Sequence, residues 1–322
     1  MAIGKIEPVA RGDLLAASGQ AKAQLRVAAR FPVFQLAIAT KDRKDDVRLS
    51  GALTKLAEED AGLSVVHDAS TNEILLLGQG EPHLRAVVDQ LKSRFGVEVS
   101  QARPTTPYRE TIRKSAKQHG RHKKQTGGHG QFADVHVEIR PLPRGEGFRF
   151  VDKITGGAVP RQWIPAVEQG VRDAMEKGPL GFPVVDVEVT LVDGAFHSVD
   201  SSELAFRIAG RLAMSEALPG CEPVMLDPVE KLTVFTPNWG TPKINSAVAA
   251  RNGQILGFEA REDWPGWDKI EIYLSHAERQ NFIIELRSLT QGLATFESAF
   301  SHMVELQGRR ADDAAKRAKA VA

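Results

Sequence analysis

Residues Phe182 to Glu203 read FPVVDVEVTLVDGAFHSVDSSE, an apolar-polar alternation that stops at a tight polar tip and restarts at once as a helix. Val185, Val187, Val189 and Leu191 fall on alternate positions, as a half-buried strand requires. Asp193-Gly194 is expected to break that strand. Asp200-Ser201-Ser202-Glu203 has the spacing of a capping box, in which the Asp200 side chain accepts from the Glu203 amide while Glu203 reaches back. A firm helix start is therefore predicted, with His197 in the few residues between strand and helix. A loop clamped in this way presents one imidazole at the extremity of a domain, which suits insertion into a partner better than catalysis. An ordinary connecting loop with a solvated histidine is the plain alternative.

Working outward, residues 104–228 read as one α+β domain with its loops gathered at one end. Phe132 to Ile139 and Gly147 to Lys153 are strand candidates around a Pro-Leu-Pro-Arg-Gly turn. Pro160 to Lys177 is an amphipathic helix with Ile164, Val167, Val171 and Met175 inward, and Ser201 to Leu218 is another. On the N-terminal side, strands at Val33–Ala39, Leu63–His67, Asn72–Leu77 and Val97–Ala102 interleave with helices at Val47–Asp60 and Pro82–Phe95. That order is β-α-β-β-α-β, the pattern of a ferredoxin-like sandwich. It recurs after the middle domain, with strands at Lys231–Thr236, Gln254–Ala260, Asp268–Leu274 and Leu293–Met303 and helices at Thr241–Asn252 and His276–Leu289. The fold class expected is α+β and multidomain, two ferredoxin-like sandwiches flanking a different domain. Gly4 to Ala16 reads as the end of a strand pair with no partner strands before it. Arg309 to Ala320, RRADDAAKRAKA, is a charged helix with a narrow alanine stripe.

A chain of 322 residues, 42% hydrophobic and 26% charged, has the composition of a globular protein with several cores. The 42 basic and 41 acidic residues leave a net charge of +1, so any affinity for nucleic acid must come from local clustering. The single cysteine, Cys221, excludes an intrachain disulfide and thiolate zinc clusters and fits a reducing compartment. No apolar run approaches a membrane span, and Met1 to Arg11 lacks the pattern of a signal peptide. A cytoplasmic location is expected.

Thr111 to Lys124, TIRKSAKQHGRHKK, carries six basic residues and runs into the loop Gln125-Thr126-Gly127-Gly128-His129-Gly130-Gln131. Glycines let a backbone approach closely and expose its amides, while Lys and Arg neutralise phosphates, so the pair suits an RNA backbone. A solvated charged face is the bland reading. The glycine loop leads into a strand and matches no phosphate-cradling P-loop, so nucleotide hydrolysis is not expected here. His119 and His122 stand three apart with only Asp134 as a nearby acid, and no metal site is expected of them. Trp163, Trp239, Trp264 and Trp267 read as packing and hairpin residues. No serine or cysteine stands in a nucleophile elbow.

Several runs resemble the bacterial translation elongation factor G family. They are Pro107-Tyr108-Arg109-Glu110-Thr111-Ile112, Gly127 to Phe132, PLPRGEGFRFVDKITGGAVPRQWIPAVEQGV from Pro141, and DGAFHSVDSSELAF from Asp193. The likeness continues through Leu53–Asp60 (LTKLAEED) and Leu286–Gly292 (LRSLTQG), so it covers nearly the whole chain. The resemblance implies the tail of domain II and a linker over 1–30, domain III over 31–103, and a ribosomal-protein-S5-like domain IV over 104–228. It further implies domain V over 229–304 and a helix returning to domain IV over 305–322. It implies a monomeric, cytoplasmic translational GTPase whose GTP and Mg sites lie in a preceding domain, with no cofactor, metal or catalytic residue in the present residues. The implied partners are ribosomal RNA, the tRNA–mRNA pair in the A site and the large-subunit factor-binding region. By the same resemblance, the domain IV tip enters the decoding region during translocation. The matching tip residues are Lys123, Lys124, Gln125, Gly127, Gly128, His129, Gly130 and Gln131 in one loop and Gly194, His197, Ser198 and Asp200 in the other.

The family's Met-Gly-Asp-like turn into the first helix of domain V is replaced by Asn238-Trp239-Gly240-Thr241-Pro242, and its Pro-Leu-x-Glu-Met-Phe-Gly-Tyr run by Tyr273 to Phe282. Leu293 stands in place of a glycine after Thr290-Gln291-Gly292. These departures bear on the large-subunit contacts and point to a divergent paralogue. A recycling or ribosome-protection factor, or a stand-alone ribosome-binding module without GTPase activity, are the alternatives.

Overall fold

Strand alternation and helical periodicity resolve into three sheets. The computed structural model describes residues 31–125, 130–306, 308 and 310–314. The readings of Gly4–Ala16 and of most of the terminal helix lie outside the described residues. Two compact units emerge, one from residues up to 106 with 230–300, the other from 107–229 with residues from 301 onward.

The first repeat consists of β1 (Phe34–Thr40), α1 (Asp46–Glu59), β2 (Ser64–Asp68), β3 (Glu73–Gly78), α2 (Glu81–Phe95) and β4 (Val99–Ala102). Its sheet order is β2-β3-β1-β4, with β1 antiparallel to both neighbours. Leu49, Ala52, Leu53 and Leu56 of α1 and Leu84, Val87 and Leu91 of α2 are buried. Their helical spacing gives each helix one apolar stripe for the sheet.

The middle segment contributes β5 (Arg109–Ile112), β6 (Ala116–Lys124), β7 (Gln131–Pro141), β8 (Phe148–Asp152), α3 (Ile164–Met175), β9 (Val187–Ala195) and α4 (Glu203–Ala217). The sheet order is β6-β7-β9-β8, with β8 parallel to β9 and the other pairs antiparallel. Helices α3 and α4 cover one face over Val135, Val137, Val189 and Leu191, all buried in one core. The helices cross at glycines. A Cβ on Gly170 would lie 1.9 Å from the Arg207 carbonyl oxygen, and one on Gly210 would lie 2.5 Å from that of Val167. Backbone therefore meets backbone, and any side chain at either position would force the helices apart.

Three local expectations for this segment are corrected. The strand begins at Val187, not Phe182, because Asp186 takes a left-handed φ of 58°. Its carboxylate accepts from the Gly145 and Gly147 amides at 3.0 and 2.9 Å. The strand also runs through Asp193-Gly194 to Ala195, absorbing a bulge opposite His136 and Val137. Thirdly, the α4 N-cap is Ser202, whose hydroxyl accepts from the Ala205 amide at 3.2 Å. Asp200 is held elsewhere by its own contacts. The helix read from Pro160 starts as a short 3-10 turn at Arg161–Trp163 before α3 proper.

The last repeat comprises β10 (Pro223–Pro237), α5 (Thr241–Ala250), β11 (Gln254–Ala260), β12 (Trp267–Ser275), α6 (His276–Arg279), α7 (Phe282–Leu289) and β13 (Thr295–Glu305). Its order, β11-β12-β10-β13, repeats that of the first sandwich. β10 starts well before the expected Lys231, since Pro223–Leu226 pairs with β5. The helix expected over His276–Leu289 is two pieces. The break at Gln280-Asn281 coincides with tertiary demands on both sides: Gln280 Nε2 donates to the Pro104 carbonyl at 2.6 Å, and Arg279 Nη2 donates to Gln35 Oε1 at 2.7 Å. The two sandwiches share one continuous apolar core. The α+β, multidomain fold class stands.

Within that shared unit, Arg279 is 3% exposed and its Nε lies 2.9 Å from Glu230 Oε2, while His276 Nδ1 lies 2.6 Å from Glu230 Oε1. Burial alone would push the Glu230 carboxyl up. The His276 hydrogen bond and the Arg279 and His276 charges outweigh it and hold the group below its ordinary range. A depressed carboxylate contributes stability that is present above its unfolded pKa and is lost as pH falls through the folded one. Glu230→Gln should cost about 3 kcal/mol at neutral pH, because Arg279 is left buried without its counter-charge. It should also flatten the acid limb of the stability profile. Urea midpoints from pH 7 downward measure both, and an unchanged midpoint at pH 7 would remove Glu230 from the stabilising set.

Candidate functional site

The two loops singled out in the sequence come together at one end of the β6-β7-β9 sheet. β6 and β7 pair in strict register from Ala116↔Ile139 to Lys124↔Gln131, so the glycine loop is the turn of a long hairpin. Thr126, Gly127, Gly128 and His129 lie outside the described residues. Lys123, Lys124, Gln125, Gly130, Gln131, Phe132, His197 and Asp200 line a single cleft of about 300 Å³. Among the candidate residues described, Gly194 lies back in β9 and Ser198 is exposed on the second loop.

Backbone and hydroxyl groups hold the loops together. The Phe132 amide donates to the Asp200 carbonyl at 2.8 Å, and Ser201 Oγ donates to the Phe132 carbonyl at 2.7 Å. The same Ser201 oxygen accepts from the His197 amide at 2.9 Å. Ser201 thus pins both loops, a role that cap spacing alone could not reveal. His197 Nδ1 accepts from the Val199 and Asp200 amides at 3.3 and 3.2 Å. Nδ1 also lies 3.3 Å from Asp200 Oδ2, so the loop itself engages that nitrogen, while the side chain as a whole is 57% exposed. Phe196 packs edge-on against Trp163 at 5.9 Å, and Trp163 stacks on Phe206 of α4 at 5.1 Å. Trp163 is therefore a packing residue, as expected.

Positive charge gathers on the hairpin. Lys123 and Lys124 are exposed and, among the described residues, neither forms an ion pair. Arg121 lies 5.6 Å over the Phe132 ring, and His122 Nε2 meets Gln131 Oε1 at 2.8 Å, orienting Gln131 at the mouth. Such a surface combines exposed cations, a His197 loop fixed by its own hydrogen bonds and an exposed imidazole. It can take phosphates and ribose hydroxyls.

Gly130 is required by close approach. A Cβ there would lie 2.8 Å from Asp200 Cγ and 2.9 and 3.0 Å from its carboxylate oxygens. Gly130→Ala should push Asp200 aside at a cost of about 1–2 kcal/mol. Hydrogen exchange should accelerate at the Phe132 amide while the α3 and α4 cores keep their protection. Unchanged exchange at Phe132 would mean that this contact does not couple the loops.

Comparisons with known proteins agree along the chain. Family models described as Elongation Factor G, domain III, Elongation factor G, domain IV, and Elongation factor G C-terminus match residues 31–103, 104–222 and 224–314. An elongation factor G-like protein of Synechocystis sp. is 51% identical over 275 residues, covering 85% of this chain and 41% of that protein. One of Mycobacterium tuberculosis (strain ATCC 25618 / H37Rv) is 40% identical over 303 residues, covering 93% and 42%. A crystal structure of a Thermus thermophilus protein superposes with a TM-score of 0.82 at 35% identity, covering 94% of this chain and 46% of that one. The chain spans about two-fifths of the length of these curated relatives. Matched in succession by three models of a single family, the chain belongs to the elongation factor G family and carries its domains III, IV and C-terminal domain.

Proposed function

We propose that this chain is the ribosome-binding arm of an elongation-factor-G-like translational GTPase, acting in tRNA–mRNA translocation through the tip formed by the hairpin and the His197 loop. The observation that supports it most is the shared cleft, where exposed lysines, a glycine-permitted close contact and an exposed imidazole meet at the end of one rigid sheet. A-form RNA displays sugar hydroxyls and phosphates on a shallow minor groove, which short polar loops with fixed backbones can follow. In this reading the arm's contribution is mechanical and electrostatic. GTP and Mg belong to a domain outside these residues, the factor works as a cytoplasmic monomer, and the C-terminal domain faces the large subunit. Among the described residues, no helix is long and apolar enough to cross a membrane.

In a factor that joins this chain to its GTP-binding domain, His197→Ala should slow translocation by about tenfold, equivalent to one hydrogen bond of ~1.4 kcal/mol at the rate-limiting step. Ribosome-stimulated GTP hydrolysis should stay within roughly twofold, because the lost contact is spatially separate from that chemistry. An unaltered translocation rate together with impaired subunit splitting would move the assignment to a recycling paralogue.

Replacing Lys123 and Lys124 together by Ala should weaken ribosome binding by this chain and reduce the slope of log K against log salt by about one per lysine. An unchanged slope would mean that both ammonium groups stay in solvent.

A further inference from the structure

The sheet face opposite α3 and α4 carries a cluster that the tip does not use. β6 and β7 place His119 directly across from His136, with Asp134 two positions along β7 on the same face. The two imidazoles are parallel, with centroids 4.3 Å apart and planes within 3°. Both direct Nε2 at one carboxylate oxygen, His119 at 2.8 Å and His136 at 3.4 Å from Asp134 Oδ1. The three potential donor atoms lie within 4.8 Å of one another. Asp134 is fixed by burial, its side chain only 13% exposed, while the imidazoles are 46% and 45% exposed and free to adjust. Arg121 sits on the other carboxylate oxygen, its Nε 3.7 Å from Oδ2, which orients Oδ1 toward the histidines.

We propose that His119, His136 and Asp134 form a binding site for a borderline divalent transition metal ion of the Zn²⁺ class, bridging β6 and β7 on the open face of the sheet. Bonds of about 2.1 Å to two nitrogens and one oxygen place neighbouring donors about 3.4 Å apart around a tetrahedral ion. The distances to Oδ1 approach that spacing; because an imidazole binds an ion in its own plane, entry of the ion requires the two parallel, half-exposed rings to turn toward each other. The donor set, two imidazoles and one carboxylate with water completing the shell, suits Zn²⁺ and its neighbours over Mg²⁺ or Ca²⁺, which prefer all-oxygen shells. Without metal, Asp134 can accept hydrogen bonds from the two rings. An incoming ion takes Nε2 of each ring and the ring proton moves to Nδ1, so ion binding replaces the hydrogen bonds to Asp134. The arginine holding Oδ2 acts as the outer partner that fixes a ligating carboxylate. Sequence proximity pairs His119 with His122, but an odd separation in a strand puts those two on opposite faces. The ligand partner comes from across the hairpin.

Titration of the metal-free chain with Zn²⁺, and with Co²⁺ as an absorbing probe, tests the site. One equivalent should bind with micromolar affinity, raise Tm and give the visible bands of tetrahedral Co²⁺. His119→Ala and His136→Ala should each weaken binding by about tenfold or more, a loss as large as that seen when even an outer-shell partner is removed. Asp134→Asn should do the same, while His67→Ala on β2 of the first repeat should leave binding intact. Both histidines are half exposed, so their alanine variants should keep the metal-free Tm, which separates loss of binding from loss of fold. No saturable equivalent, or binding that survives His119→Ala and His136→Ala but disappears in His129→Ala, would overturn the proposal.

Discussion

The arm depends on how closely α4 can approach α3. At Gly170 and Gly210 the helices touch carbonyl to Cα, and no side chain fits between them. Overpacking a seam of this kind typically costs about 1–3 kcal/mol, and here the obstacle is backbone that cannot rotate away. The position of α4 in turn sets the geometry of the tip. Its first turn begins at Glu203 behind the Ser202 cap, and Ser201, one residue before that cap, holds both loops. A register fixed by glycines in the core is thereby transmitted, through one helix start, to the orientation of His197. Phe206 of the same helix supports Trp163, which supports Phe196 on the second loop.

The tip itself divides its labour between fixed and mobile groups. Backbone amides, carbonyls and the Ser201 hydroxyl set the conformation of the His197 loop, which therefore has little ordering entropy left to lose. The charged side chains are left out of that network. Lys123 and Lys124 can therefore follow a phosphate backbone of variable shape without disturbing the loop that carries them. Elsewhere in the same sheet arginines are paired, Arg140 and Arg149 meeting Glu188 at 2.6 and 3.2 Å.

Much of this was legible because it rests on local pattern. The repeated β-α-β-β-α-β order and the inward faces of α1, α2 and α3 follow from spacing and residue type. The convergence of the two tip loops was visible as a condition, since both follow strands of one domain, but strand order decided it. What escaped reading was decided by contacts across the chain. Asp186 starts its strand late because it caps the Gly145–Gly147 turn, 41 and 39 residues away, which no window of sequence around Asp186 contains. Asp200 lost its role as a helix cap because its backbone carbonyl was already engaged by Phe132. His119 found His136 through hairpin register. The capping motif proposed a local partner, and it failed where a long-range hydrogen bond held Asp200 instead.

The Glu230, His276 and Arg279 cluster shows why the two sandwiches form one unit. Buried ion pairs seldom add much net stability, since desolvation offsets most of their attraction, but removing one partner is strongly destabilising. Their effect is to penalise wrong arrangements. Arg279 satisfies Glu230 from the C-terminal repeat and Gln35 from the first strand of the N-terminal repeat, and Arg287 reaches the Gln79 carbonyl at 2.6 Å. A displacement of one sandwich against the other would strip the buried Arg279 of Gln35 and Arg287 of the Gln79 carbonyl. The apolar surface shared between the repeats supplies cohesion without direction, and these polar contacts select one orientation. The split of the helix at Gln280-Asn281 follows from the same requirement: a continuous helix would carry successive residues around its axis, whereas Arg279 and Gln280 both have to reach acceptors on the first repeat and the segment that follows it.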